Sequence, residues 1–474
     1  MAFIRDKNGR IVGSISTKQS VAGAQSISGM LGKGSFSQYR QSKLQETAEG
    51  DVGKMKEEFE LCLFDLDDTL IRTADMDELR MSGKNIDTDA YRKSVLAAYG
   101  SKSNRIVYSE DFLNDLKAQF PKMKFGIFTR SPKSYAETIV NQAYPNFEWD
   151  IGIAYETVER TKPYGDGIAH AIAELGISDV QKVALIGDGD NDVRSAYHAG
   201  SAVILDCHTW QRKRVSDNWR ALGHMPDAMI DGPKELAQVL ADLPRYQLDL
   251  ETRMVQKGKT PSSSRFDDVG KFIPTDVGGD NTRFPVHTCS RYFSADPSLD
   301  RRRSWHPINQ SIYDNKDSVE FPQEWVDSVS EFIRKTFPYL KFGFGEKVVV
   351  TVVPPRPERK PRLAFFLAQL EKGFHEKAKF NKEKLVFCPD LLVYQDGVRS
   401  HHGDGLSAID RFKNVRDHLA VAKPELVANN EKVLVIDDVC TTGASLIYAG
   451  KYLQEAGASE VTRLSIAMNV SKVV

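Results

Sequence analysis

Short apolar runs recur along the chain at residues 59–64, 125–128, 182–186 and 202–205, each with the density expected of a buried strand. Helix-period segments separate them, as at 164–175, and a further one at 233–243 closes the series. Buried strands alternating with helices predict βαβ units around a parallel sheet. A second series follows at 347–353, 385–394, 433–436 and 461–468. Between the two, Gly258-Lys259-Thr260-Pro261-Ser262-Ser263-Ser264 and Val277-Gly278-Gly279-Asp280 are turn and coil chemistry with little to bury. The pattern therefore predicts an α/β protein with domains at 56–250 and 286–474, joined by a linker at 251–285. No internal repeat is visible.

Residues 1–55 break this pattern. Phe3-Ile4 and Ile11-Val12 flank Asn8-Gly9, a signal for a tight hairpin, and a mildly basic Ser/Gly/Gln-rich stretch follows with too little apolar content to fold alone. This arm reads as a flexible tail or as a segment that orders on a protein partner. Gly32-Lys33-Gly34-Ser35 lacks the glycine spacing of a phosphate loop and is set aside.

Composition then narrows the class. The 474 residues carry 64 Lys+Arg against 65 Asp+Glu, a balance that argues against a protein built to neutralise nucleic-acid phosphates, although a local basic patch stays open. The 41% hydrophobic and 27% charged content excludes collagen, wholly disordered chains and disulfide scaffolds. Five scattered cysteines contain no C-x-x-C pair, so neither structural zinc nor a disulfide framework is expected. Arg5, Asp6 and Lys7 stand where a signal peptide needs apolar residues, and no run reaches the length of a membrane span. A cytoplasmic protein with no membrane partner is the expectation.

The candidate chemistry lies at predicted strand ends. Leu61-Cys62-Leu63-Phe64 runs into Asp65-Leu66-Asp67-Asp68-Thr69, which places acids where open parallel sheets bind ligands. Two acids there suit a divalent cation or a division of nucleophile and acid duties. Phe128-Thr129-Arg130-Ser131 offers a hydroxyl and backbone donors, Thr161-Lys162-Pro163 a cation, and Gly187-Asp188-Gly189-Asp190-Asn191-Asp192 further carboxylates. In this order the four motifs resemble the haloacid dehalogenase-like (HAD) phosphohydrolase superfamily over about residues 56–250. The resemblance implies a Rossmannoid domain with Asp65 as nucleophile, Asp67 as general acid and base, Thr129 on the phosphoryl oxygens and Lys162 balancing charge. It implies Mg2+ held by Asp65, the Asp67 main-chain carbonyl and Asp188, with Asp192 assisting the metal shell or orienting Lys162. An acid two residues after the nucleophile favours phosphatase chemistry. Spacing leaves room for only a modest cap near 87–99, so the site is expected to be open to large phosphates.

The second series carries Val433-Leu434-Val435-Ile436-Asp437-Asp438-Val439-Cys440-Thr441-Thr442-Gly443-Ala444-Ser445. A strand, paired acids, a hydroxyl-rich turn and a helix start form an anion cradle, with the acids suited to the hydroxyls of an attached ribose. This stretch resembles the phosphoribosyl pyrophosphate (PRPP) signature of type I phosphoribosyltransferases. The resemblance implies that Asp437 and Asp438 contact the ribose hydroxyls and that Thr441, Thr442, Gly443, Ala444 and Ser445 hold the 5-phosphate. Upstream, the strand at 348–353 leads into Arg356, Arg359 and Lys360, whose charge suits pyrophosphate. Asp410-Arg411-Phe412-Lys413-Asn414-Val415-Arg416 resembles the Arg-rich mobile segment of the ComF-like branch. Arg399, His401 and His402 fall in the flexible loop expected to close over the site, and the cysteine zinc module of that branch is missing here.

The leading expectation is a bifunctional Mg2+-dependent enzyme taking a phosphorylated small molecule and PRPP in nucleotide-type metabolism. The fusion resembles pairings in bacterial stress and defence gene clusters. Two other classes stand beside it: a PRPP- or nucleotide-sensing domain gating a phosphatase, and a nucleic-acid end-processing phosphatase. A homo-oligomer is admissible under each.

Overall fold

The structure, a computed structural model, describes residues 59–210, 216–256, 261, 263–342, 346–356, 359–377, 384–399 and 405–474. The N-terminal arm with its expected hairpin, together with His401 and His402, lies outside the described residues. The chain forms two compact units. The first runs through Tyr246 and takes in Ser294–Trp305 and Ser471–Val474; the second comprises Gln247–Phe293 and His306–Val470.

The first unit is built on β1 (Leu61–Phe64), β2 (Lys124–Phe128), β3 (Ile151–Ile153), β4 (Val183–Gly187), β5 (Ala202–Asp206) and β6 (Ala228–Ile230), in the spatial order β3-β2-β1-β4-β5-β6. All five pairings are parallel. Every residue of β1, β4 and β5 is buried, as expected for strands covered on both faces. Phe64 meets the edges of Tyr108 and Trp149, and Trp149 meets Phe147 with ring centroids 4.7 Å apart, which fixes the packing beneath β1. The strand order reverses direction between β1 and β4, and the register aligns Phe64 with Ile186. A doubly wound sheet opens a crevice at such a reversal, beyond the carboxyl ends of the strands. Asp65 and Asp188 therefore emerge side by side.

The returning segment Ser294–Trp305 carries Arg302 into this unit. Arg302 is fully buried and pairs with buried Asp227; its Nη1 donates to the Ser201 carbonyl at 2.9 Å and its guanidinium lies 4.1 Å from the Trp305 ring centroid. The expected boundary at 250 misses this segment, because its short polar helix Asp300–Trp305 has no periodicity that marks it as core.

The second unit holds β7 (Asp267–Lys271), β8 (Phe284–Thr288), β9 (Arg291–Phe293), β10 (Val348–Val352), β11 (Leu385–Phe387), β12 (Leu392–Tyr394), β13 (Leu419–Val421), β14 (Lys432–Cys440) and β15 (Glu460–Val470). The main sheet runs β11-β10-β14-β15-β8-β7, with β9 also on β15. Its pairings are parallel except β7 with β8. The stretch read as a linker is thus not unstructured: it takes in most of the helix Asp249–Val255 and the edge strand β7. Polar β7 buries Asp267 and Val269 in alternation, a pattern too short and too charged to register as a strand beforehand. The run at 385–394 also divides. Pro389-Asp390 interrupts it, so β11 pairs with β10 while β12 turns away to pair antiparallel with β13. Among the described residues no helix is long and apolar enough to cross a membrane.

Candidate active site

At the β1 end, buried Leu66 and Leu70 anchor a turn in which Asp68 takes a positive φ of 56°, a conformation that aspartate tolerates. The turn directs Asp65, Asp67 and Asp68 into a cleft of about 590 Å³, shared with Thr129, Lys162, Asp188 and Asp192. Lys162 is buried and bridges two carboxylates, with Nζ at 2.7 Å from Asp65 Oδ1 and 2.6 Å from Asp192 Oδ1. The other Asp192 oxygen accepts the Gly189 N–H at 3.0 Å, so Asp192 also positions Lys162 and the turn after β4. Thr69 Oγ1 donates to Asp188 Oδ1 at 3.3 Å, and the Trp210 indole donates to the Asp188 carbonyl at 2.8 Å.

Asp67 sits two residues beyond Asp65 in a separate setting. Its Oδ1 accepts Thr73 Oγ1 at 2.6 Å and the Tyr135 hydroxyl at 3.1 Å. Its Oδ2 accepts Ser131 Oγ and, at 3.4 Å, Thr129 Oγ1, and it pairs with Arg80 Nη1 at 3.3 Å. Thr129 faces Asp67 here, and its oxygen also accepts the Ser131 N–H at 3.1 Å. Thr73, Arg80, Ser131 and Tyr135 had no assigned role. Ser131 was visible inside its motif; the other three sit in stretches without any signature.

The donor set suits a hard divalent cation. Asp65, Asp188 and Asp192 each offer an oxygen, all within 4.8 Å of one another. Burial, opposed by Lys162 and reinforced by Asp192 and Asp67, pushes the Asp65 carboxyl up to about 7. Burial also drives Asp188 well above the ordinary carboxylate range, with Asp192 and Asp65 adding to the shift. Buried acids this close together are costly as anions, and a cation among them would remove that cost. The residues fit Mg2+.

Residues 84–200 match the family of haloacid dehalogenase-like hydrolases. The first unit contains a haloacid dehalogenase-like hydrolase domain. Solved structures similar in part include a predicted phosphoglycolate phosphatase from Haemophilus somnus (15% identity, 38% of this chain and 98% of that one, TM-score 0.30). Others are a phosphonoacetaldehyde hydrolase-like protein from Oleispira antarctica (15%, 45% and 99%, TM-score 0.30) and a putative beta-phosphoglucomutase from Thermotoga maritima (16%, 38% and 98%, TM-score 0.28). No curated protein matches the chain.

Outside the hydrolase domain, the second unit has its own strand-order reversal between β10 and β14, with Val352 aligned to Ile436. The two basic and acidic motifs therefore meet at neighbouring strand ends. β14 extends through Asp437 and Asp438 to Cys440, further than the apolar run indicates, because the same strand pairs with β15 as far as Met468. Gly443, with φ +85°, turns the chain into the helix Ala444–Glu455. Lys271 Nζ donates to the Thr441 carbonyl at 2.8 Å, and the Tyr394 and Ser445 hydroxyls lie 3.3 Å apart. Thr442 Oγ1 accepts the Ala444 N–H at 3.4 Å.

Burial pushes Asp437 up to about 7, against the pull of Arg362 and Arg356. Arg362 forms an ion pair with Asp438, a contact sequence reasoning missed because Arg362 opens the helix Arg362–Lys377 beyond the basic motif. Arg359 donates its backbone N–H to Arg356 at 3.1 Å, and Lys360 is exposed beside them. Arg399 is exposed, with its backbone tied to Asn414 at 2.9 and 3.0 Å. Arg411 lies in the first turn of the helix Ala408–His418, its Nε on the Leu406 carbonyl at 3.1 Å. That segment is helical rather than loop-like because Ser407 caps it and Phe412 and Val415 bury one face.

Proposed function

We propose that the hydrolase domain is a Mg2+-dependent phosphomonoesterase and that the second unit binds PRPP and transfers its phosphoribosyl group. The observation that carries the first half is Lys162 bridging Asp65 and Asp192 while Asp67 waits two residues on in its own set of donors. Asp65 attacks phosphorus, the bond to the leaving oxygen breaks, and Asp67 gives that oxygen a proton. Water then attacks the phosphoryl group on Asp65, the bond from Asp65 to phosphorus breaks to free phosphate and the carboxylate, and Asp67 takes a proton back from the water. Lys162 offsets the repulsion between the Asp65 carboxylate and the incoming phosphate. When bound, Mg2+ held by Asp65 and Asp188 would supply further positive charge to the phosphoryl oxygens.

For the second unit, support comes from the charges of Arg362 and Arg356 acting on Asp437 where β10 and β14 end, and from the turn into a helix at Gly443. One observation favours a second reading. The Arg362–Asp438 pair occupies an acid that the transferase reading assigns to ribose, which suits a unit that binds PRPP or a nucleotide as a signal for the phosphatase. Service in nucleotide metabolism, and in a stress or defence system, belongs to the same proposal.

The test is to incubate the whole protein with Mg2+, PRPP and a panel of bases and to measure phosphate and pyrophosphate separately. Asp65→Asn should abolish phosphate release and spare pyrophosphate release; an Asp437→Ala/Asp438→Ala double variant should do the reverse. Phosphate release that requires PRPP, with no pyrophosphate formed, would replace the transferase by the sensor. Phosphate release that survives Asp65→Asn would overturn the first half.

A further inference from the structure

We propose that the hydrolase domain's substrate is a small phosphomonoester whose leaving portion carries a second anionic group, read by Arg80, Lys84 and Arg130. This rests on the phosphatase reading and specifies its substrate class. The cleft of about 590 Å³ has far more room than a phosphoryl group needs, so part of its wall faces whatever the phosphate is attached to.

The cations on that wall are not equivalent. Lys162 is committed to Asp65 and Asp192, and Arg160 to Asp166 through contacts of 2.8 and 2.9 Å. Arg130, next to Thr129, is exposed and has no ion pair among the described residues. Lys84 likewise has no ion pair among them and lies 4.5 Å from the Tyr155 ring centroid. Arg80 does have carboxylate partners, but one of them is Asp67, the group assigned to the leaving oxygen. Asp68 and exposed Glu159 are the acids that line the cleft outside the cation-binding group and Asp67. They repel an incoming anion without satisfying Arg130 or Lys84.

An anion on the leaving portion would draw Arg80 off Asp67 as it binds, so recognition and release of the acid become one event. A neutral leaving group leaves Arg80 on Asp67 and Arg130 and Lys84 unused. Charge-assisted contacts of this kind separate substrates by roughly tenfold to hundredfold.

Two matched pairs of probes test this on the full chain with Mg2+: glucose 1,6-bisphosphate against glucose 6-phosphate, and 3-phosphoglycerate against glycerol 3-phosphate. The first pair reports a second phosphate, the second a carboxylate. In the wild type, kcat/KM should favour the anion-bearing member of at least one pair by roughly tenfold or more. An Arg80→Met/Arg130→Met double variant should bring that ratio towards one, mainly through KM of the anion-bearing member. Arg80→Lys should restore part of it, which a merely structural role would not do. A wild-type ratio near one in both pairs overturns the proposal, as does a ratio that persists in the double variant. Preference for a 5′-phosphorylated oligonucleotide over all four probes overturns the small-molecule assignment. Hydrolysis of p-nitrophenyl phosphate keeps the phosphatase reading separate: if it and every other probe stay intact, that reading falls and takes this one with it.

Discussion

Replacing Lys162 by Met keeps the length of the side chain and removes its charge. The ammonium stands 2.7 Å from Asp65 and 2.6 Å from Asp192, with about 2% of the side chain exposed. At an effective dielectric of about 20, each contact is worth about 6 kcal/mol of Coulomb attraction, most of it offset by the cost of burying the three charges. Breaking such a buried group by removing one partner typically costs about 3–5 kcal/mol, because the remaining charges lose their compensation. That is a large share of the roughly 5–15 kcal/mol that holds a domain together. Without Mg2+, urea unfolding followed by circular dichroism should therefore show Lys162→Met destabilised by about 3–5 kcal/mol. Excess Mg2+ should recover part of this, since the cation would meet the same acids. Phosphate release should fall roughly 10²–10³-fold even with Mg2+ present, as when one preorganised charge is lost from a transition state. A variant within 1 kcal/mol of the wild type (about a fivefold change in the folding equilibrium) and within threefold in rate would show that the Lys162 bridge carries neither role.

Three further outcomes follow from the same geometry. The folded-state Asp65 carboxyl, raised to about 7 without a cation, takes up a proton more readily than in the unfolded chain. Its contribution to stability is thus present below about pH 4 and is lost as pH rises through about 7. Mg2+ should accordingly raise the thermal midpoint more at about pH 8 than at about pH 5, and equal shifts would count against a cation at these acids. Arg302→Met leaves Asp227 buried without its guanidinium, and calorimetry should show about 3–5 kcal/mol lost, partly regained by adding Asp227→Asn; a loss below about 1 kcal/mol would contradict the pairing. Ser131→Ala removes one donor to Asp67 and should lower kcat about tenfold with little change in KM, measured with p-nitrophenyl phosphate; an unchanged kcat would show that this hydrogen bond has no part in the chemistry.

The parts legible beforehand are those in which neighbouring residues carry the information. β1, β4 and β5 announce themselves as continuous apolar runs, and the acids that follow β1 and β4 are read directly from those strand ends. Three-residue β3 and β6, and polar β7, give too short or too mixed a pattern. The setting of Asp67 shows the same limit at the site. Its donors include Thr73 and Tyr135, the latter 68 residues away, and such convergence leaves no trace in local spacing. Arg362 was hidden for a related reason, as a helix-opening arginine whose carboxylate partner lies on another strand.

The Asp227–Arg302 pair has a consequence for how the protein is made. The two residues are 75 positions apart, and ribosomes deliver about 5–20 residues each second. For roughly 4–15 s the nascent hydrolase domain has emerged with every strand of its sheet but without the arginine that meets Asp227 in the finished fold. The hydrolase domain therefore completes its interior only after synthesis has passed through Gln247–Phe293, which belongs to the second unit.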